Sequence, residues 1–344
     1  MDKSCFALYR LPHERECFFI SGGGETLDAV ASLNGRSGFV IAPFHIDSQT
    51  PLVVISPERC LHFDNHEAIT TDIADFINQN VYLPQSENTA VNNGARAAYA
   101  EDFSRFHARL ASGEFSKIVL SRNAATTISK TAIQLFCEAC SLYPRVFITL
   151  FSSPWSGTWL VASPEILLEE KDGLWHTIAL AGTLPLNDGF DGSWSEKNIR
   201  EQRIVATYIG DSVRPFAKKL TETGPETVRA GNLIHLRSDF SFTTQQGNIG
   251  KILDALHPTP AVCGLPKEAT RAFIISNEHS PRRYYSGFCG PLQMQQATHL
   301  FVTLRCMEIS RATLYAGGGL LKESTEQAEW EETEAKMGTM RRIL

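Results

Sequence analysis

Short apolar runs bounded by Gly, Ser and Pro recur along this chain, with helical stretches between them but no regular strand–helix alternation. Cys17-Phe-Phe-Ile20, Gly38-Phe-Val-Ile-Ala42 and Pro51-Leu-Val-Val-Ile55 have the length and flanks of strands. Further strands are expected at 117–122, 146–151, 158–162, 175–180, 235–240 and 299–309. Residues 99–110 read as a helix, because Phe103, Phe106 and Leu110 recur on one side. Residues 132–142 and 196–216 read the same way, the latter opened by the capping-box spacing of Ser193 and Glu196. Strands grouped this way, with no short repeat and no βαβ rhythm, indicate an α+β fold. Residues 1–90 are expected to be a strand-rich part of the same fold as 91–344, with the polar, Asn-rich 86–94 as a connection. Ser21-Gly-Gly-Gly-Glu25 lacks the Lys-Ser/Thr ending of a phosphate loop and reads as a turn.

Composition removes several classes. With 344 residues, 43% hydrophobic and 20% charged, the chain can bury a large core. A net charge of -6 argues against general nucleic-acid binding. No stretch approaches the ~20 apolar residues of a membrane span. The first residues, Met1-Asp-Lys-Ser-Cys5, lack the apolar core of an export signal. The 8 cysteines follow no framework spacing, so reduced thiols and a cytoplasmic location are expected. Cys137 and Cys140 form one C-x-x-C with no second pair, which suits helix thiols better than zinc.

The chemistry-bearing residues concentrate late. After an alternating strand, Ala316-Gly-Gly-Gly319 opens into a glutamate-rich helix in which Glu329, Glu332 and Lys336 share a face. On those residues alone, a solvated acidic face with a Glu-to-Lys pair is the plainer description. The alternative is a hard cation such as Mg²⁺ held between carboxylates. Lys117 either marks a strand end or points into a closed cavity. There, desolvation and a neighbouring cation would make it a general base. Glu165, between Ser163-Pro164 and Ile166-Leu-Leu168, is either a capping carboxylate or an acid raised by its apolar surroundings. Ala181-Gly-Thr183 is expected to end a strand, as a tight turn or as backbone open to an anion. Glu201 lies four residues after Lys197, where an exposed ion pair is the simplest account, although Asn198 and Glu201 share a face. Arg305 sits in the apparent strand Phe301–Met307, where alternation puts it beside Phe301, Thr303 and Met307. A buried arginine needs an anion, and a bound carboxylate would be one. Tyr285 either packs or donates its hydroxyl to the same ligand.

The order of these pieces carries more than any one of them. Lys117-Ile-Val-Leu-Ser-Arg122, Ser163-Pro-Glu165, Ala181-Gly-Thr183, Arg200-Glu-Gln202, His235-Leu236, Pro258-Thr-Pro-Ala-Val-Cys-Gly-Leu-Pro-Lys267, Tyr285-Ser-Gly287, Thr303-Leu-Arg305, the glycine run and Glu329-x-x-Glu-Glu-x-x-x-Lys succeed one another. Over roughly residues 95–342 the chain resembles the chorismate-utilising enzymes, among them isochorismate, salicylate, anthranilate and aminodeoxychorismate synthases. The resemblance implies two intertwined halves, with two antiparallel sheets packed face to face and helices outside. It implies chorismate as substrate and Mg²⁺ held by Glu201, Glu329 and Glu332. Ala181, Gly182, Thr183, His235, Ala261, Tyr285, Arg305, Gly317, Gly318, Gly319 and Lys336 would contact the substrate. Lys117 would activate water, and Glu165 would protonate the departing hydroxyl on the opposite ring face.

Within the family, Ala181 stands where aminodeoxychorismate synthases carry a nucleophilic lysine. The Pro258–Gly264 loop is like that of isochorismate synthases, and salicylate synthases usually have Thr where Ala261 stands. The resemblance therefore implies a reversible isochorismate synthase, an isomerase serving menaquinone or siderophore synthesis. Salicylate synthesis and non-catalytic chorismate binding are the alternatives. No amidotransferase subunit is expected, and a monomer is. Asn198 and Gln202 depart from the family's usual Asp or Glu and His.

Overall fold

The computed structural model describes residues 4–82, 95–186, 192–230, 233–244 and 248–344. The fold is α+β, built on two 9-stranded sheets whose described ladders are all antiparallel. From edge to edge, the first sheet runs Gly264–Leu265, Lys117–Ala125, Thr313–Leu320, Cys306–Glu308, Gly157–Ser163, Phe147–Ser153, Cys5–Arg10, Cys17–Gly22 and Arg59–Phe63. The second runs Lys219–Ala230, Leu233–Thr243, Leu174–Pro185, Ile166–Lys171, Ala297–Val302, Phe288–Leu292, Gly38–Ala42, Leu52–Ile55 and Gly24–Leu27. The N-terminal strands thus complete the same end of both sheets. The polar 86–94 segment lies outside the described residues.

Strand periodicity explains the layering. In Cys5–Arg10, Cys5, Ala7 and Tyr9 face the core between the sheets, while Phe6 and Leu8 face the outer helices. In Leu52–Ile55, Val53 and Ile55 point inward, and Leu52 and Val54 pack on the other layer. Strands buried on both faces read as continuous apolar runs. Phe147 stacks on Phe301 across the sheet interface, with centroids 4.2 Å apart. Helices Thr71–Asn80, Ala132–Leu142 and Glu326–Arg341 cover the first sheet, and Glu196–Val213 and Ile249–Leu256 cover the second.

Several expectations need correction. Residues 299–309 are not one strand. Ala297–Val302 belongs to the second sheet and Cys306–Glu308 to the first, and the chain crosses between them at Thr303-Leu304-Arg305. Arg305 has φ 48°, so strand alternation does not set its direction. Ala181–Thr183 lies within the long strand Leu174–Pro185, where a bulge at Gly182 (φ 74°) shifts the register. Ser21–Glu25 is a step from the first sheet to the second rather than a turn. The cap of Glu196–Val213 is Ser195, whose Oγ accepts from the Asn198 N–H. The third helical residue is therefore Asn198, and the capping-box partner of Ser193 drops out. That helix ends at Val213 rather than 216.

Candidate functional site

Opposite the N-terminal end, the two sheets part around a narrow cleft with a cavity of about 60 Å³. Its lining includes Glu165, Ala181, Gly182, Thr183, Glu201, His235, Ala261, Tyr285, Arg305, Gly317, Gly319 and Lys336. These are residues that the sequence singled out, brought together from both sheets. Lys117, Gly318, Glu329 and Glu332 stand directly behind them. Sequence reasoning missed Val119, Pro164, Leu180, Val262, Leu304, Tyr315 and Ala316. They are apolar or aromatic wall residues whose types carry no chemical signal.

Lys117 shares a strand face with Val119, while Ile118 and Leu120 enter a separate apolar cluster. Its side chain is fully buried, and its Nζ lies 3.0 Å from Glu201 Oε1. The sequence allowed for a neighbouring cation, but the structure supplies a carboxylate. Glu201 is nearly buried, and burial alone would raise its pKa. Lys117, Lys197 and Lys336 outweigh burial and hold it below the usual range. The pairing expected between Lys197 and Glu201 is absent. Lys197 Nζ instead donates to Glu329 Oε1 at 2.5 Å.

Glu165 follows directly on the Ser163-Pro164 turn, and Ser163 Oγ accepts its backbone N–H. Burial pushes its carboxyl up to about 8 against the pull of Lys117, Lys336 and Arg305, so at neutral pH it holds a proton. Arg305 Nη2 lies 2.7 Å from His235 Nε2, while His235 Nδ1 lies 3.0 Å from the Gly182 carbonyl. Burial, then Arg305 and Lys336, hold His235 well below its ordinary value. The neutral ring therefore donates from Nδ1 to Gly182 and accepts from Arg305 at Nε2. Burial lowers Arg305 to about 10, which leaves it charged at neutral pH.

The glycine run lies along Lys117–Ala125, with Gly319 opposite Val119 and Gly317 opposite Ser121. A Cβ at Gly319 would collide with the Glu201 carboxylate and stand 2.9 Å from Lys117 Cε. At Gly317 it would stand 2.8 Å from the Tyr285 hydroxyl. Lys336 Nζ donates to the Gly317 carbonyl at 2.8 Å and to Glu332 Oε1 at 2.7 Å. Tyr285 both lines the cleft and stacks on Tyr315. Of the acidic helix, Glu332 keeps partial exposure, but Glu329 is 1% exposed, which rules out a wholly solvated face.

As placed, no three His, Cys, Asp or Glu side chains among the described residues converge at metal spacing, because each carboxylate leans on a lysine. The donor chemistry nevertheless fits a hard dication. Glu329 Oε2 is buried and receives no hydrogen bond from a described residue. Burial, and then Glu332, push the Glu329 carboxyl up. A Cβ at Gly318 would stand 2.9 Å from Glu329 Oε2 and 3.8 Å from Glu332 Oε1, so the glycine keeps this approach open.

The family profile described as chorismate binding enzyme matches residues 50–344. Isochorismate synthase MenF of Escherichia coli K12 is 30% identical over 249 residues, covering 68% of this chain and 57% of that protein. Isochorismate synthase DhbC of Bacillus subtilis 168 is 31% identical over 258 residues, covering 69% of this chain and 65% of that protein. The chain therefore aligns with less than two thirds of either relative's length. The solved structure of MenF, the menaquinone-specific isochorismate synthase from Escherichia coli, shares the fold. The TM-score is 0.77 at 22% identity, covering 99% of this chain and 88% of that one.

Proposed function

The chain belongs to the chorismate-binding enzyme family, and from that premise we propose that it is a Mg²⁺-dependent isochorismate synthase. The observation that carries the reading is one cleft that gathers a buried carboxyl, Glu165, and a buried arginine, Arg305, in front of a buried lysine, Lys117. Arg305, Tyr285 and the backbone of Gly182 and Gly317 orient the substrate's carboxylates. Lys117, acting as the neutral amine, takes a proton from the attacking water. Glu165 gives its proton to the departing ring hydroxyl, which leaves as water. One C–O bond forms as another breaks, with an allylic shift of the double bond, so atoms and charge balance.

Glu201, Glu329 and Glu332 would hold Mg²⁺, which when bound supplies positive charge to anchor a substrate carboxylate. Glu201, paired with Lys117 Nζ at 3.0 Å, is the one of the three carboxylates that would stand between the base and the ion. Ala181 is apolar and offers no nucleophile for a covalent intermediate. No helix among the described residues is long and apolar enough to cross a membrane. A cytoplasmic monomer without an amidotransferase subunit, supplying menaquinone or siderophore synthesis, completes the reading.

Chromatography with mass detection tests it, using purified protein, chorismate and Mg²⁺ beside a metal-free control. The expected result is a metal-dependent product of unchanged mass that stops at an equilibrium mixture. In parallel, Lys117→Ala should lose at least a thousandfold in kcat while remaining folded. Salicylate with pyruvate would reassign the chain to salicylate synthesis, and binding without turnover would make it a chorismate binder.

A further inference from the structure

The strand that carries Lys117 loses its outer neighbour early. Gly264–Leu265 pairs only with Lys117 and Ile118. One more backbone bond, from the Val119 N–H to the Cys263 carbonyl at 2.7 Å, extends the contact. Beyond it, the Val119 carbonyl and the Ser121 N–H face an edge with no strand among the described residues. A buried backbone group without a partner is costly, so something must replace the missing ladder.

Two side chains do so. Arg282 Nη2 donates to the Val119 carbonyl at 2.8 Å, and Glu278 Oε1 accepts the Ser121 N–H at 2.7 Å. Glu278 Oε2 also accepts from Ser121 Oγ at 3.1 Å. The two side chains are joined in a bidentate pair, with Arg282 Nε to Glu278 Oε2 at 2.7 Å and Nη2 to Oε1 at 2.5 Å. Both are 3% exposed. Arg282 Nη1 then donates to the Val262 carbonyl at 2.6 Å, reaching the loop that brings Ala261 to the cleft. Its backbone carbonyl accepts from Tyr285, which lines the cleft three residues on.

We propose that Arg282 and Glu278 are positioning residues that lock the Lys117 strand in register with the adjoining Ala261–Val262 loop. Neither touches the cleft. Together they set the distance between Lys117 and the part of the cleft wall formed by Ala261 and Val262. A guanidinium is required because one planar fork serves two carbonyls and a carboxylate at once, which a lysine point charge cannot do. The consequence for turnover rests on the isochorismate synthase reading, whereas the clamp itself rests only on the contacts above.

The test compares wild type with Arg282→Lys and Glu278→Gln. Hydrogen exchange is followed by mass spectrometry in peptides covering residues 117–125 and 259–263. The turnover number kcat is expressed per chorismate-binding site counted by calorimetry, so that unfolded molecules are not scored. In Arg282→Lys, exchange in both peptides should rise at least tenfold while distant strands hold their rates. Its kcat per site should fall at least tenfold, with KM changed less than threefold. Glu278→Gln keeps an acceptor for the Ser121 N–H and should fall between the two. Unchanged exchange in the two peptides overturns the clamp. Raised exchange with kcat per site within twofold of wild type overturns the positioning role. A wild type that binds chorismate but does not turn it over would remove the enzymatic reading. Exchange would then decide the clamp alone, and unchanged rates in the two peptides would still overturn it.

Discussion

Glu165 shows what a single side chain takes from its surroundings. Its proton is held to about pH 8 by burial, so the acid form should fade as pH rises through that value, and kcat with it. Stability carries the same signature. The folded value lies above the ordinary 4.5, so the proton is bound more tightly in the folded chain. Glu165 therefore contributes stability below pH about 4.5, and that contribution is lost as pH rises to about 8. Relative to wild type, Glu165→Gln should gain melting temperature between pH 5 and pH 8.5 while losing its chemistry. A melting difference that stays flat over that range would place the proton elsewhere. Not all of this was legible. The sequence marked Glu165 by its apolar neighbours, but it attached Lys197 to Glu201. Helical spacing says which side chains can meet within a helix, and it is blind to a competitor arriving from Glu326–Arg341.

At the scale of elements, that C-terminal helix holds Glu329 and Glu332, the carboxylates behind the cleft. Trp330 is covered by the Arg96 guanidinium at 4.6 Å and the Arg122 guanidinium at 3.7 Å, and Arg122 also donates to Thr333 at 2.7 Å and pairs with Glu334. The helix is thus tied to the strand that begins at Lys117. Glu332→Gln should leave this docking intact yet raise the Mg²⁺ concentration for half-maximal activity at least tenfold. An unchanged metal titration would remove Glu332 as a ligand. Helices with a strong apolar stripe were readable, and 132–142 coincides with Ala132–Leu142. Thr71–Asn80 was not, because it buries only Ile73 and Ile77 and sits among strands. The exposed strand Lys219–Ala230 likewise lacks apolar alternation, and only its long pairing with Leu233–Thr243 makes it a strand.

On the scale of the molecule, the cleft belongs to neither sheet. Lys117 and the glycines come from the first, Gly182 and His235 from the second, and Arg305 from the crossing between them. The α+β class was visible in the sequence because strands buried on both faces leave apolar runs. The crossing was not, because a strand that changes sheets keeps the same alternation on either side of the break. The interface between the sheets should therefore report on the cleft. Phe301→Leu removes the stack on Phe147 and should cost on the order of 2 kcal/mol. It should also raise KM for chorismate several-fold, since Phe301 lies four residues before Arg305. Loss of stability with an unaltered KM would show the interface to be independent of the cleft.

The step at Thr303–Arg305 acts like a rivet through two plates. Sliding of one sheet past the other would strain this short span of backbone together with other short crossings, such as those at Gly23 and at Pro164–Glu165. The grip on an anion at Arg305 is therefore coupled to the resistance of the sandwich to shear. A bound carboxylate at Arg305 would tighten the whole assembly against slippage, from a point far from either rim.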